Sequence, residues 1–485
     1  MNKTLLLSIP LLIASNGAYS QKKAKKQIVN QHKYNVLFIT ADDLNCDLGS
    51  YEDPLVKTPN LDRLRQHAVK FSQAYCQFPL SGPSRASFMT GYSPQHTGVM
   101  DLETNFREKL PNAVTLPELF KQNGYYTARV GKIFHAGVPS EIGKPGMDDP
   151  QSWMETYNPI GIDRTHQDKV INLNPQMKIG ASLSFMATDG GDDEHTDAIG
   201  ANVAAALIRE NKDKPFFIAM GFYRPHAPMI APRKYFDMYP LDKITLPTVY
   251  DEEWANLLDC SKNYPEKNYG LQENDLKRTV QSYYATITFV DEQIGKLLDV
   301  LHEEGLDRNT IIVFLSDHGY NLGQHGMWKK NMLFEQTSRV PLIISVPGMT
   351  ESELVSSEIV ELLDVYPTLS HLCQLKNIPA DLDGKDITPL LVNPYKKCDW
   401  LARSIVFRGQ RKYIKLTGKP VYGNSIRYGN YRYTNWGVDN TRLGEELYDY
   451  SKDPEEHVNL VGNPDYKELQ ELLNKKWNEV YNKTK

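Results

Sequence analysis

The sequence predicts an α/β fold: an α/β/α sandwich with a mostly parallel central sheet, followed by a small C-terminal α+β subdomain with an antiparallel sheet. Three observations support this prediction. Apolar runs that end in polar residues recur along most of the chain, segments of helical periodicity lie between them, and short alternating strands replace this pattern from about residue 402. We therefore expect one domain over residues 33–395 and the subdomain over residues 396–485.

Residues 1–20 have the pattern of a signal peptide. Lys3 supplies the positive start, residues 5–14 form an apolar run, and small residues follow at 17–20. The apolar run is too short to span a bilayer and no later segment is long enough, so we expect no membrane insertion. A buried N-terminal strand is the alternative, but the Lys-rich tail after residue 20 favours a signal peptide. Its cleavage would give a periplasmic or secreted protein.

The composition is that of an ordinary globular protein and excludes some functions. The 485 residues are 40% hydrophobic and 24% charged, and the net charge is -5. This balance provides no basic face, so we expect no nucleic-acid partner. The five cysteines are odd in number and widely spaced, which fits neither a zinc motif nor a disulfide framework, although export would permit one or two bridges.

Five apolar runs are the candidate strands of the central sheet. They cover residues 35–40, 126–130, 216–220, 310–315 and 341–346. The first four lead into polar residues, which are Asp42 and Asp43, Lys132 and His135, His226, and Asp317 and His318. Because open parallel sheets bind ligands beyond the carboxyl ends of their strands, we expect these side chains to open onto one rim.

Two helical segments between these strands have recognisable ends. Thr115 and Glu118 form a capping-box pattern, and Gly124 stops that helix. A longer helix is predicted over residues 274–304, where apolar residues recur at helical spacing before Gly305. We interpret these apolar stripes as core.

The C-terminal part predicts a hairpin and a helix. Residues 424–428 and 431–436 alternate in polarity and flank Gly429-Asn430, a dipeptide typical of tight turns. A helix with one apolar face is predicted over residues 465–481. Together they indicate the antiparallel sheet of the subdomain.

The run Ser81-Gly-Pro-Ser-Arg85 is the candidate site motif. Pro83 fits the first turn of a helix, because its missing N–H would have no partner there. The free N–H groups of that helix would face Ser81 and attract an anion, and Arg85 adds a guanidinium one turn on. The alternative is an ordinary loop-to-helix turn in which Ser81 only caps the helix.

The acidic strand ends predict a cation site. Asp42, Asp43 and Asp317 supply the hard oxygen ligands that suit Ca²⁺ or Mg²⁺. Adjacent aspartates are often only a solvated turn, but their place at one strand tip opposite a second acidic tip favours a metal. His318 is a softer ligand than calcium usually takes.

The segment from Ser81 to Gly91, Ser-Gly-Pro-Ser-Arg-Ala-Ser-Phe-Met-Thr-Gly, resembles the signature of the type I, formylglycine-dependent sulfatases of the alkaline phosphatase superfamily. The iduronate-2-sulfatase-like branch is the most similar, since it shares Asp-Asp-Leu after the first strand, Arg-Pro-His-x-Pro at 224–228 and Ser-Asp-His-Gly at 316–319. It also shares the run 322–328, Leu-Gly-Gln-His-Gly-Met-Trp. The resemblance extends over nearly the whole mature chain and implies hydrolysis of sulfate esters.

The resemblance implies a cofactor set. Ser81 would be oxidised to formylglycine by a maturation enzyme that acts on serine, and its hydrate would attack sulfur. One cation, Ca²⁺ with Mg²⁺ as the alternative, would be held by Asp42, Asp43, Asp317, His318 and position 81. His318 departs from the asparagine common in the family, although the iduronate-2-sulfatase-like branch has histidine there.

The resemblance also assigns catalytic roles. Arg85 and Lys132 match residues that stabilise the hydrate, and His135 matches the base that assists sulfate release. His226 and Lys330 match residues that hold the sulfate and assist the leaving alcohol; Lys330 is preferred to Lys329 because it lies two places after Trp328, as in the family. A surface lysine at 132 and core or loop histidines at 135 and 226 are the alternatives.

The substrate implied by the resemblance is a sulfated mono- or oligosaccharide, in the first place a 2-O-sulfated uronic acid, iduronate or unsaturated hexuronate, from glycosaminoglycan fragments. Two departures leave a neutral sulfated sugar open, including one from an algal polysaccharide. Gly98 stands where an arginine for the sugar carboxylate is expected, and Asn331 replaces an aromatic residue. Candidate carboxylate partners elsewhere are Arg224, Arg408 and Arg427.

Two functions of other kinds stay open. A phosphodiesterase or phosphonate hydrolase of the same superfamily would usually build a two-metal site. A sulfosugar-binding protein without activity would leave Ser81 unmodified.

Overall fold

The computed structural model describes residues 33–439 and 441–481, and the predicted signal peptide lies outside them. The strands are β1 (Asn35–Asp42), β2 (Val69–Tyr75), β3 (Tyr126–Gly131), β4 (Glu155–Tyr157), β5 (Ile171–Asn172), β6 (Ser184–Thr188), β7 (Phe216–Pro225), β8 (Met229–Pro232), β9 (Thr310–Ser316), β10 (Asn321–Leu322), β11 (Trp328–Lys329), β12 (Arg339–Val340), β13 (Leu342–Ser345), β14 (Leu354–Glu361), β15 (Leu401–Arg408), β16 (Val421–Tyr428), β17 (Tyr431–Val438) and β18 (Thr441–Asp449).

The α-helices lie between these strands and after them. They are α1 (Pro59–Arg65), α2 (Ser81–Thr90), α3 (Pro94–Thr97), α4 (Phe106–Lys109), α5 (Leu116–Gln122), α6 (Ile162–Thr165), α7 (Thr196–Glu210), α8 (Arg233–Phe236), α9 (Asp251–Asn256), α10 (Glu273–Glu303), α11 (Glu335–Ser338), α12 (Val365–Leu372), α13 (Thr388–Val392), α14 (Arg411–Thr417) and α15 (Lys467–Tyr481). Among the described residues, no helix is long and apolar enough to cross a bilayer.

The central sheet has nine strands in the order β12-β2-β13-β9-β1-β7-β3-β4, and β14 pairs with β2. The four strands with polar tips are neighbours: β1 runs parallel to both β9 and β7, and β7 runs parallel to β3. The predicted strand at 341–346 is observed as β13, which is antiparallel to β9 and β2. The predicted fold class, with a mostly parallel sheet, is confirmed.

Apolar side chains alternate between the two faces of this sheet and belong to two separate hydrophobic cores. In β1, Leu37 and Ile39 belong to one core, while Val36 and Phe38 belong to the other. The first core lies under α7 and α10, and the second lies under α2, α5 and α12. Because both faces of β1 are covered, its sequence reads as a continuous apolar run.

The two predicted helices are present, with one difference in capping. The long helix is α10, one residue from the predicted bounds, and Gly305 follows it in a left-handed conformation. At α5 the Thr115 side chain accepts the Glu118 N–H at 3.3 Å, as a capping box requires. The Glu118 carboxylate does not close the box, because it accepts a hydrogen bond from Arg107 at 2.7 Å.

The C-terminal residues form the predicted antiparallel sheet, in the order β15-β16-β17-β18. Tyr428 pairs with Tyr431 across the predicted Gly429-Asn430 turn, and α15 covers the sheet with Leu473 fully buried. The predicted boundary between residues 395 and 396 falls between α13 and β15, and the division into two domains stays a prediction.

All five cysteines lie in the described residues and are free. The bridges that export would permit are therefore not formed. Cys76, close in sequence to Ser81, is fully buried, as expected for a small core residue.

A buried ion-pair network joins the C-terminal sheet to the larger part of the chain. Arg432 of β17 donates to Glu456 at 2.8 Å and also pairs with Glu335 at the start of α11. Burial would raise the pKa of Glu335, but Arg427 and Arg432 outweigh it and lower the pKa to about 2. The Glu335 carboxylate is therefore ionised, and the neighbouring guanidinium groups compensate its charge.

We predict that Arg432→Ala lowers the free energy of unfolding by about 3–5 kcal/mol, because Glu335 and Glu456 would be left buried without this partner. Urea unfolding followed by circular dichroism measures the change. Arg442→Ala removes an exposed pair with Glu445 and is the matched control, with an expected change below about 1 kcal/mol. Equal effects of the two variants would contradict the prediction.

Candidate active site

The end of β1 and the end of β9 meet at the rim of the sheet. Asp43 turns the chain out of β1 with a left-handed backbone (φ 66°), and its N–H donates to Asp317 Oδ1 at 3.1 Å. Asp42 and Asp317 are fully buried, and Asp43 is nearly so. The predicted convergence of the two acidic strand tips is therefore observed.

Ser81 is the first residue of α2 and points at these carboxylates. Its hydroxyl donates to Asp42 Oδ1 at 2.9 Å and lies 3.2 Å from His318 Nε2. Leu80 is the N-cap residue, so Ser81 does not serve as the cap that the alternative interpretation required. Gly82 is needed beside it, because a Cβ there would lie 2.5 Å from the carbonyl oxygen of Asp101.

Four acceptor side chains form a cluster that fits a divalent cation. One ligand atom from each of Asp42, Asp43, Asp317 and His318 lies within 4.8 Å of the others. His318 Nδ1 lies 3.0 Å from the Gly319 carbonyl, which accepts its hydrogen, and Nε2 lies 3.4 Å from Asp43 Oδ1. The carboxylate oxygens of the cluster lie close together, and a cation between them would stabilise that arrangement.

Three basic side chains surround the cluster. Arg85 Nε donates to Asp317 Oδ2 at 2.9 Å, Lys132 Nζ donates to Asp42 Oδ2 at 2.5 Å, and Lys330 Nζ pairs with Asp43. Burial would raise the pKa of Asp42, but Lys132 and the other cations outweigh it and hold the pKa well below its usual value. Asp42 therefore stays ionised.

The two predicted histidines are neutral imidazoles. Burial, with a contribution from Lys132, lowers the pKa of His135 to about 2, and its Nδ1 is buried without a hydrogen-bond partner. Burial also lowers the pKa of His226, whose Nδ1 lies 2.6 Å from the Ala227 carbonyl oxygen. Its Nε2 therefore faces Asp43 Oδ2, at 3.8 Å. A negative charge bound in the site would raise both pKa values.

A cavity of about 250 Å³ opens above Ser81. Five predicted site residues line it: Asp43, Ser81, His135, His226 and Lys330. Lys329, to which Lys330 was preferred, also lines it, as do four residues that were not predicted: Asn263, Tyr264, Tyr269 and Tyr320. Asn263, Tyr264 and Tyr269 lie outside the quoted motifs, so the sequence carried no signal for them. Tyr320 directly follows Ser-Asp-His-Gly at 316–319, and that position could have indicated it.

The three arginines considered as carboxylate partners are not among the described residues that line this cavity. Arg224 donates to Asp163 at 2.8 Å, Arg408 donates to the Asn331 carbonyl at 2.9 Å, and Arg427 stacks on Tyr450 with 3.9 Å to the ring centre. Each guanidinium thus has a partner within the protein. Gly98, which stands where an arginine was expected, is the C-cap residue of α3.

Comparisons with known proteins identify the family of the chain. The family model described as "Sulfatase" matches residues 34–375, and the model described as "N-sulphoglucosamine sulphohydrolase, C-terminal" matches residues 323–483. The chain is 31% identical to iduronate 2-sulfatase of Homo sapiens, over 90% of this chain and 93% of that one. It is 30% identical to a sulfatase of Formosa agariphila, over 97% and 90% of the two chains.

The fold is also similar to solved structures. The phosphonate monoester hydrolase of Agrobacterium radiobacter superposes with a TM-score of 0.75 and 23% identity, over 92% of this chain and 94% of that one. At this identity the likeness concerns the fold alone. The family match over residues 34–375 and the 31% identity to iduronate 2-sulfatase establish that the chain belongs to the type I sulfatase family and is a sulfuric ester hydrolase.

Proposed function

We propose that the protein is an exported carbohydrate sulfatase that uses formylglycine at position 81. The substrate we favour is a terminal 2-O-sulfated uronic acid of a glycosaminoglycan fragment. The observation that carries the proposal is the position of the Ser81 hydroxyl, 2.9 Å from Asp42 and 3.2 Å from His318, in a cavity that Lys330 and His226 also line.

Position 81 supports this chemistry through its partners. Formylglycine supplies a hydrated aldehyde, which offers two hydroxyls where serine has one. Asp42 accepts the hydrogen bond of the Ser81 hydroxyl, and Lys132 and Arg85 keep that carboxylate ionised. His135 is neutral, has an unpartnered buried Nδ1 and lines the same cavity as Ser81. The negative charge of a bound sulfate would raise its pKa, so that it can take a proton from position 81 and support sulfate release.

The cation and the basic side chains would act on the sulfate group. Asp42, Asp43, Asp317 and His318 would hold the cation, which supplies positive charge opposite the sulfuryl oxygens. Lys330 and His226 approach Asp43 from the cavity side. Lys330 can hold a sulfate there, and the negative charge of that sulfate would raise the pKa of His226, so that a protonated imidazole can assist the departing alcohol. Only one such cluster lies at this cavity among the described residues, which favours a sulfatase over a two-metal phosphodiesterase.

The walls of the cavity suit a sugar ring. Tyr264 and Tyr269 stack on each other with ring centres 4.1 Å apart and provide an apolar wall. Besides His135, three residues of the lining carry a buried polar atom without a partner, namely Asn263 Oδ1, Tyr320 Oη and Asn331 Oδ1. Sugar hydroxyls can satisfy such groups. A volume of about 250 Å³ is below the roughly 300–1,000 Å³ of pockets for larger ligands, which supports action on one terminal residue.

The remaining parts of the proposal rest on the sequence and on relatives. Similarity to iduronate 2-sulfatase supports the 2-O-sulfated uronic acid. The absence of an arginine among the described residues that line the cavity keeps a neutral sulfated sugar, including an algal one, as the alternative. The predicted signal peptide at residues 1–20 supports export to the periplasm or medium, and serine at position 81 requires a maturation enzyme that acts on serine.

Ser81→Ala is expected to reduce sulfate release to the background rate without changing the thermal unfolding temperature, because the variant cannot carry the aldehyde. Ser87→Ala lies on the same helix and removes a buried hydroxyl that has no partner, so it should retain turnover. Intact mass of the peptide that contains position 81 should show the loss of two hydrogen atoms in the active protein. Turnover by Ser81→Ala would remove the nucleophile assignment.

Addition of Ca²⁺ to chelator-treated protein should raise the thermal unfolding temperature by several degrees, because a ligand at 100 times its dissociation constant stabilises the folded state by about 2.7 kcal/mol. Asp317→Asn should abolish the shift, since it removes one charge of the cluster. Glu253→Gln is the matched control: Glu253, with His325 and His457, forms a second group of potential ligands away from the cavity. A shift that survives Asp317→Asn and disappears in Glu253→Gln would contradict the assigned site.

A panel of defined sulfated mono- and disaccharides tests the substrate class. The matured enzyme should release sulfate fastest from 2-O-sulfated hexuronates, and its kcat/KM for them should far exceed that for 6-O-sulfated glucosamine and for an aryl phosphate diester. We expect this because cationic side chains lie beside the sulfate position, and because the groups that can bind a sugar ring suit one position of the ester on that ring. A preference for the phosphate diester would favour the phosphodiesterase alternative.

A further inference from the structure

Two consecutive lysines line the cavity, and they differ in their partners. Lys330 pairs with the carboxylate of Asp43. Among the described residues, no carboxylate forms an ion pair with Lys329: its Nζ donates to the Ala181 carbonyl and lies 5.2 Å from the centre of the Tyr269 ring. A carbonyl and an aromatic face orient an ammonium group without neutralising it. Lys329 is therefore a cation available to an anionic ligand.

We propose that Lys329 binds the carboxylate of the uronic acid ring whose sulfate ester is held beside Ser81, so that this lysine selects uronic acids over neutral sugars. The inference rests on the proposed function. It supplies the carboxylate partner that the engaged side chains of Arg224, Arg408 and Arg427 do not provide.

The backbone explains why both lysines face the cavity. Successive side chains of a strand point to opposite sides, so Lys329 and Lys330 would separate in a regular strand. Lys329 (φ 72°) and Asn331 (φ 67°) are both left-handed, although neither is glycine. Asn263 Nδ2 holds this conformation by donating to the carbonyls of Trp328 at 2.7 Å and Lys330 at 3.1 Å. The chain thus maintains an unfavourable backbone that places two cations on one wall.

The charge around Lys329 also favours an incoming anion. Burial and the neighbouring Lys330 lower the pKa of Lys329 to about 8. A carboxylate beside Nζ would offset both effects and stabilise the charged form. A carboxylate is smaller than a second sulfate ester and is attached directly to the ring, so it suits a cavity of about 250 Å³ better.

The test compares two ligands that differ only in this group: the methyl glycoside of 2-O-sulfated iduronic acid and its carboxyl-reduced analogue. Calorimetric titration of protein carrying Ser81→Ala measures binding without turnover. Lys329→Met in that background should weaken binding of the acid by roughly 10- to 100-fold, the usual effect of losing a charged hydrogen bond, and change binding of the reduced analogue less than about twofold.

Three further variants separate recognition from structure. Lys329→Arg keeps the charge and should retain most of the preference for the acid. Lys330→Met should weaken both ligands, because that lysine is assigned to the shared sulfate. Lys415→Met changes an exposed lysine of α14 and should have no effect. Equal loss for both ligands in Lys329→Met, or equal affinity of the parent protein for the two ligands, would overturn the inference.

Hydrolysis by the mature enzyme distinguishes this failure from failure of the proposed function. If the enzyme hydrolyses both glycosides without preference, the sulfatase proposal stands and the role of Lys329 falls. If it hydrolyses neither glycoside but does hydrolyse another sulfated sugar from the panel, the uronic acid substrate and the role of Lys329 fall together.

Discussion

The buried carboxylate of Asp42 is the constraint on which the site depends. A charge removed from water is tolerated only beside opposite charges and hydrogen-bond donors. Asp42 has Lys132 at 2.5 Å, the Ser81 hydroxyl at 2.9 Å and Arg85 at 3.5 Å. These partners come from the segment after β3 and from α2, so sheet and helix must assemble before the charge is compensated. The contacts that hold Ser81 in place are therefore also contacts that hold the fold.

The C-terminal sheet supports the segment that carries Lys329 and Lys330. Arg408 of β15 donates to the Asn331 carbonyl, next to Lys330, and Arg432 of β17 pairs with Glu335 a few residues further on. The Asn331 N–H in turn donates to the Pro79 carbonyl at 2.9 Å, just before Ser81. The segment that carries the cavity lysines is thus fixed on both sides, although no residue of the C-terminal sheet is among the described residues that line the cavity.

The electrostatics of the cavity favour an anionic ligand despite a net charge of -5 for the whole chain. Asp43 is the only carboxylate among the described residues that line it, and Lys330 already pairs with it. The other lysine and histidine side chains of the lining are Lys329 and two neutral histidines, His135 and His226. Attraction of a sulfated sugar is therefore a local property of this wall, as expected where burial strengthens each charge interaction.

Local patterns in the sequence determined the strands, the long helix, the C-terminal hairpin and the polar strand tips, because periodicity and turn residues act over short stretches of chain. They also determined the Ser81 motif and the acidic residues that converge on it. Only the tertiary structure decided that β13 runs antiparallel, that three arginines are engaged elsewhere, and that Asn263, Tyr264 and Tyr269 form the cavity wall. Those outcomes depend on contacts between segments far apart in sequence. The left-handed backbone at Lys329 and Asn331, which places both lysines at the cavity, is likewise encoded by no local pattern.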